Sequence, residues 1–422
     1  MIEKALTCVA FVLLCRVFPP GYLEGGHGLA VPPDDLLYQI MQSIVYFGCG
    51  IYLLLAIHAR KTLPEVPIEI ILLVFLALLS SIWSFKPSST LIRGIGLLGA
   101  TVVGVYVAYR YTLREILMLL WTSSVLMLIA SIIAIVVFPE YGIVRDEWSV
   151  GTSYEAAYRG IFHNKNTLAI VMLLAAITFV YCGSIFRQEQ SKLRYPNYVF
   201  LVLALAVLIV AHSVSVYLTA ASVTLGTASL VLIARSRMMR LPFALLAIWM
   251  VCMVLVLFFS NPAMITTILG REPTLTNRTV IWAFAFQMIE ARPLLGYGYG
   301  VFWDSVGSIL GVVNAHNGYL TVVLDLGLIG AVLLLTLLAR TTSRCWSLVM
   351  SSPMFIATWP TAVLLAILVN NLSEAELFGP NSVQWCLFVI VTGICARASK
   401  YRSVESRGSS ATAPAKWAVP QA

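Results

Sequence analysis

The sequence predicts an all-α, polytopic integral membrane protein of about twelve transmembrane helices, with a long outer loop that contains an amphipathic helix. Three observations carry this expectation. Of 422 residues, 60% are apolar and only 11% charged, and the mean hydropathy is +0.90, whereas soluble domains carry about 25% charged residues. Most apolar runs approach the ~20 residues that a helix needs to cross ~30 Å of hydrocarbon, so they read as helices rather than barrel strands. Finally, Lys and Arg recur in alternate short loops, as in a chain threaded back and forth through a membrane.

In chain order, the expected spans run from Lys4 to Phe18, Leu36 to Ile57, Pro67 to Trp83, Leu91 to Tyr109, Glu115 to Phe138 and Asn166 to Phe186. They continue from Asn197 to His212, Ser213 to Ala234, Leu241 to Ser260, Gly318 to Ala339, Met354 to Asn370 and Val383 to Ala396. The first, with Lys4 ahead of a short apolar run, lacks a small-x-small cleavage site and reads as an uncleaved helix rather than a signal peptide. The stretch from Asn197 to Ala234 would be about 57 Å long as one helix, too long for one crossing, and is expected to fold back near His212-Ser213-Val214-Ser215. The organisation is one membrane domain, 1–397, including an outer loop at 261–317, then a disordered tail, 398–422, rich in Ser, Ala, Pro and Arg.

Orientation follows from the basic residues. With the N-terminus inside, the inner loops, Lys4 and the tail hold about 18 of the 27 Lys and Arg, twice the number outside. Both termini are then cytoplasmic, and 261–317 faces outward. The net charge of +8 is mostly this bias and makes no claim on nucleic acid. The eight cysteines sit mostly in apolar spans without Cys-x-x-Cys spacing, so they read as packing residues, with no disulfide framework and no metal site expected.

The outer loop carries the chemistry-bearing residues. Thr276-Asn277 precede Arg278-Thr279-Val280-Ile281-Trp282-Ala283-Phe284-Ala285-Phe286, a capped helix start expected to lie in the outer interface with Trp282 and the phenylalanines facing the bilayer. A cation in the first helical turn opposes the helix dipole, so Arg278 reads either as the ligand of an anion or as a headgroup contact. The helix ends at Pro293, and Gly296-Tyr297-Gly298-Tyr299-Gly300 supplies a permissive return. His316 precedes a helix for which Asn317 is a plausible cap. The positive end of that helix favours an imidazole that accepts a proton, as a general base does, although a lone loop histidine also serves as a capping or interfacial residue. Asp325, two turns farther in, reads as a packing contact.

Two further outer segments contribute. In Tyr158-Arg159-Gly160-Ile161-Phe162-His163-Asn164-Lys165-Asn166, Arg159, His163 and Lys165 stand at a helix start, suited equally to phosphate or to lipid headgroups. In Asn371-Leu372-Ser373-Glu374-Ala375-Glu376, Glu374 either orients a sugar hydroxyl or is solvated.

These motifs, with Arg292-Pro293-Leu294-Leu295-Gly296, His316-Asn317-Gly318-Tyr319-Leu320 and Leu326-Gly327-Leu328-Ile329-Gly330, resemble the O-antigen ligase and polymerase superfamily, most of all its exopolysaccharide-polymerase members. The resemblance covers about Tyr158 to Trp385, while the N-terminal third fits only by hydropathy. It implies a bacterial inner-membrane glycosyltransferase, free of metal and cofactor, that works on the periplasmic side. Such an enzyme takes a glycan from a polyprenyl diphosphate and joins it to an acceptor sugar with inversion. The family's catalytic histidine maps onto His316 and its loop arginine onto Arg278. Arg159 and Lys165 are further candidates for the diphosphate, and Asn317, Tyr319 and Glu374 for sugar or acceptor contacts. The basic residue that commonly follows a Ser-x-Ser element is replaced here, since Ser213-Val214-Ser215 runs into Val216. Implied partners are the lipid-linked oligosaccharide, the acceptor glycan, the bilayer, a chain-length regulator and export proteins. The alternatives are a ligase that transfers to a lipid-core sugar, a lipid-linked oligosaccharide flippase, and a non-catalytic assembly partner. A flippase tends to place its ionisable residues at the membrane midplane, whereas here they gather at helix ends.

Overall fold

The structure, a computed structural model, describes residues 2–17, 36–144, 157–235, 278–310, 314–352 and 354–405. The expected span 241–260, the loop stretch 261–277 and the end of the tail, 406–422, lie outside the described residues. The first nine helices are α1 (Ile2–Leu14), α2 (Leu36–Arg60), α3 (Ile68–Leu79), α4 (Pro87–Arg110), α5 (Leu113–Val136), the short α6 (Pro139–Gly142), α7 (Lys165–Gln188), α8 (Arg194–Val210) and α9 (Val214–Arg235). A two-residue antiparallel pair, β1 (Ile143–Val144) with β2 (Ala157–Tyr158), precedes α7. After them come α10 (Arg278–Ala291), α11 (Phe302–Leu310), α12 (Gly318–Ser351), α13 (Trp359–Asn370) and α14 (Val383–Glu405).

Among the described residues, α2, α4, α5, α7, α9, α12 and α14 are long and apolar enough to cross a membrane, and 68–82, 194–210, 280–291 and 355–370 form shorter apolar helices. Local sequence sets their ends. α5 begins with a capping box, Thr112 accepting from the Glu115 amide while Glu115 reaches back to the Thr112 amide. α2, α7 and α8 stop where Lys61, Gln190 and His212 turn to positive φ. The last of these is the expected fold-back between 197 and 234. Every residue from Leu168 to Phe179 is buried, which makes α7 a central helix. By contrast, α2 and α8 turn Ile44, Phe47, Leu54, Val199, Val202 and Ile209 outward, as lipid-facing helices do. α4 packs closely through small residues: a Cβ at Gly99 would lie 2.0 Å from the Tyr46 ring, and one at Gly104 would lie 2.8 Å from Val389.

Ion pairs sort to two ends of the bundle. At one end Glu3 pairs with Arg110, Arg114 with Glu189, Glu69 with Arg340 and Glu65 with Lys400. The basic members of these pairs, Arg110, Arg114, Arg340 and Lys400, are all residues that the charge pattern assigns to the inner side. At the other end Arg16 pairs with Glu376 and Arg93 with Asp304. The membrane-domain boundary expected at 397 falls inside a helix, because α14 continues to Glu405 while Arg397 donates to the Tyr111 carbonyl. α12 likewise runs past the expected end at Ala339 to Ser351.

α12 is not one continuous helix. At Gly327 the backbone leaves helical geometry (φ 64°, ψ −165°), freeing carbonyls before the break and amides after it. The segment after α10 answers them. The Tyr297 and Gly298 amides donate to the Leu324 and Asp325 carbonyls at 2.9 and 3.0 Å, and the Leu328 and Ile329 amides donate to Pro293 and Leu294 at 2.8 and 3.4 Å. A broken helix is tolerated inside a membrane protein only where such pairing is restored. The glycine-rich stretch, expected as a permissive return, is thus a buried stitch: Tyr297 and Tyr299 are buried, and the Tyr299 hydroxyl donates to the Phe378 carbonyl at 2.7 Å.

Candidate active site

His316 stands immediately before α12, and four contacts fix its backbone. Its amide donates to Asn314 Oδ1 at 2.7 Å, and the preceding carbonyl, that of Ala315, accepts from Trp282 Nε1 at 2.8 Å. Trp282 therefore faces the protein and not the bilayer as expected, because an indole N–H needs an acceptor that hydrocarbon lacks. Phe284 packs on Phe302 and Phe286 remains exposed, so only part of α10's aromatic face is turned outward. On the other side of His316, the Asn317 side chain caps α12 by accepting from the Tyr319 and Leu320 amides. The Gly318 amide donates to the Asn371 carbonyl at 2.9 Å, and a Cβ at Gly318 would lie 2.6 Å from Asn371 Oδ1.

That last contact joins His316 to the turn after α13. Within this turn Glu374 is half-buried, and its Oε2 lies 3.9 Å from His316 Nδ1. Glu374 Oε1 accepts from Asn166 Nδ2 at 2.8 Å, Asn166 Oδ1 accepts from the Ser213 hydroxyl at 2.9 Å, and the Ser213 and Ser215 hydroxyls are 3.2 Å apart. A hydrogen-bonded chain therefore runs from the α8–α9 turn through the start of α7 to Glu374, whose other oxygen faces the histidine. His316 Nδ1 is itself buried and makes no hydrogen bond to a described residue. A small movement would let it donate to Glu374, since 3.9 Å exceeds hydrogen-bond length by less than 1 Å.

Two of the basic candidates, Arg159 and Lys165, stand in the segment that leads into Asn166. Arg159 is buried, with Nε donating to the Tyr141 carbonyl at 2.8 Å. Asn164 caps α7, of which Lys165 is the first residue, directly before Asn166. Burial, and then the Arg16 and Arg159 guanidiniums, push the His163 imidazole down to about 3, so His163 is neutral and adds no charge. Arg278 begins α10, but its side chain lies outside the described residues. Val216, where a basic residue was expected, is fully buried.

The structure thus brings together His316, Glu374, Asn166 and Ser213, with Lys165 directly before Asn166 in the chain and Arg159 in the turn that leads to it. Asn317 and Tyr319 are engaged in the frame: the first caps α12, and the Tyr319 hydroxyl donates to the Leu368 carbonyl at 2.8 Å. Asp325 is buried and accepts from the Gly300 amide at 2.9 Å, consistent with packing. The sequence reading missed Arg16, Glu376 and the link from Asn166 to Glu374, although Asn166 and both glutamates stood inside segments it singled out. Among the described residues, no group of three or more His, Cys, Asp or Glu is arranged to hold a metal ion.

A bundle of apolar helices with its polar chemistry gathered at one end defines a polytopic membrane protein, and this one resembles the O-antigen ligases. The family model described as O-Antigen ligase matches residues 199–335, which include Arg278 and His316 but not Arg159, Lys165 or Glu374. The match is narrower than the stretch that the motifs alone suggest. The chain is also 24% identical over 309 residues to the exopolysaccharide production protein ExoQ of Rhizobium meliloti (strain 1021), covering 69% of this chain and 68% of that relative.

Proposed function

We propose that the protein is a periplasmic-side glycosyltransferase of the bacterial inner membrane. It joins polyprenyl-diphosphate-linked oligosaccharides into exopolysaccharide or O-antigen, without metal and with inversion at the anomeric carbon. The observation that supports this reading is the approach of His316 Nδ1 to Glu374 Oε2, at 3.9 Å. A carboxylate facing one ring nitrogen holds the proton there, which leaves Nε2 with the lone pair that a general base needs. The acceptor hydroxyl then attacks the anomeric carbon while His316 takes its proton. The new glycosidic C–O bond forms as the bond to phosphate breaks, and polyprenyl diphosphate departs with the electron pair. Such a single displacement inverts the centre.

Arg278, Arg159 and Lys165 supply the positive charge that stabilises the departing diphosphate, the role a divalent cation plays in many sugar-nucleotide enzymes. Lys165 directly precedes Asn166 in the Ser213-Asn166-Glu374 chain, so it takes the place of the basic residue absent at Val216. The relative's name favours polymerisation, in which the acceptor is another lipid-linked repeat. The family description favours the ligase alternative, with a lipid-core sugar as acceptor. The positive-inside bias supports both termini being cytoplasmic. The test is to incubate the purified protein with a polyprenyl-diphosphate-linked repeat in the presence of chelator and determine the new linkage by NMR. Elongated product with the anomeric configuration opposite to the donor's is expected. Product formed only when divalent cation is restored, or with retained configuration, contradicts the proposal.

A further inference from the structure

Arg16, at the end of α1, belongs to none of the motifs that point to the reaction, yet it reaches the turn that holds Glu374. Its backbone sits at φ 53°, and the next residue, Val17, forms an isolated bridge with Phe162, a fully buried side chain in the turn between Arg159 and His163. This bridge brings the Arg16 guanidinium to the Arg159–Lys165 segment, where its charge, with that of Arg159, bears on the His163 imidazole. Arg16 donates through one terminal nitrogen to Glu376 Oε1 at 3.2 Å and through the other to the Pro380 carbonyl at 3.0 Å. Those two bonds occupy only part of a fork that carries five N–H donors. Its side chain is 30% exposed, while Arg159 as a whole is only 8% exposed and spends its Nε on Tyr141. Of the two guanidiniums, Arg16 is therefore the one open to a solute.

Glu376 lies two residues from Glu374 on one turn. One turn thus holds the carboxylate facing His316 and the carboxylate that keeps Arg16 in place. We propose that Arg16 is a further binding residue for the donor's diphosphate, and that Glu376 is its counter-ion until the diphosphate displaces it. A dianionic oxygen cluster offers a guanidinium bidentate contacts that the single 3.2 Å bond to Glu376 does not provide. This inference rests on the donor reading given above and adds the N-terminal helix to the site.

The roles of the two partners separate it from a merely structural ion pair. If the pair only ties α1 to the outer turn, Arg16→Gln and Glu376→Gln break the same bond and shift binding alike. If Glu376 competes with the ligand, the two variants shift binding in opposite directions. The experiment uses the full chain in phosphatidylcholine nanodiscs, titrated with farnesyl diphosphate as a soluble polyprenyl diphosphate, with parallel discs containing phosphatidylglycerol. Arg16→Gln is expected to weaken binding about tenfold or more, the loss of a charged hydrogen-bond pair, and Glu376→Gln to tighten it. Arg16→Lys, which keeps the charge and the ion pair, should fall between the intact protein and Arg16→Gln. Equal affinity in Arg16→Gln, or weakening in both charge-removing variants, overturns the proposal while leaving the donor reading intact. A loss of the Arg16 effect whenever phosphatidylglycerol is present would assign the cation to lipid headgroups and overturn it too. Absence of saturable binding by the intact protein would instead remove the donor reading, and the Arg16 role with it.

Discussion

His316 holds a left-handed backbone conformation, φ 47°, which a histidine adopts only when its surroundings enforce it. The enforcement is visible in Asn314, in Trp282 reaching across to Ala315, and in Asn317 capping the helix that follows. His316 and Glu374 were both legible in the sequence, because each stands in a polar motif beside an apolar span. Their pairing was not, since it depends on Asn166, which is 208 positions from Glu374 in the chain. Asn317 and Tyr319 show the opposite case. Their adjacency to His316 suggested substrate contacts, and their polar groups are bonded to the protein frame. If Glu374 positions the imidazole, Glu374→Gln should lower kcat by about 10- to 100-fold with little change in KM, because the ring loses the carboxylate that fixes its tautomer and orientation. Asn166→Ala should move kcat in the same direction. An unchanged kcat in Glu374→Gln, or a change confined to KM, would show that the carboxylate binds substrate and does not orient the base.

α12 shows what periodicity can and cannot reveal. Its apolar run announced a span, but the break at Gly327 and its repair by Pro293–Gly298 are invisible to a reading that assigns one state to each segment. The two motifs that carry the family resemblance around Arg292–Gly300 and Leu326–Gly330 are the two sides of this junction. At about 1.5 Å per residue, Asp325 lies some 10 Å below the start of α12, so the loop that began with α10 is pinned well inside the bundle before it returns to His316. A Cβ at Gly327 would stand 2.1 Å from the Leu294 carbonyl oxygen, in a backbone region that L side chains rarely enter. Gly327→Ala should therefore cost about 1–3 kcal/mol. The cost is read as a lowered midpoint of thermal unfolding in detergent. Leu328→Ala, on a side chain that is 48% exposed, is the control and should change the midpoint less. Equal midpoints for Gly327→Ala and the intact protein would mean that the stitch does not constrain the helix.

Across the whole molecule, composition alone was enough to place the chain in a membrane, and the charge pattern foretold which basic residues share an end. Ion pairs join residues of α1, α3, α4, α5, α12 and α14 at one end, and the candidate site residues Glu374 and His316 lie at the other, beside the Arg16–Glu376 pair. What composition could not show is that α1 brings Arg16 to the same turn that holds Glu374 beside His316. The proposed reaction requires His316 to perform metal-free transfer at that site. The direct measurement is a length-resolved product assay with the lipid-linked repeat and chelator, comparing intact protein with His316→Ala at matched membrane insertion. A product ladder from the intact protein alone is predicted; an equal ladder from His316→Ala would contradict the account.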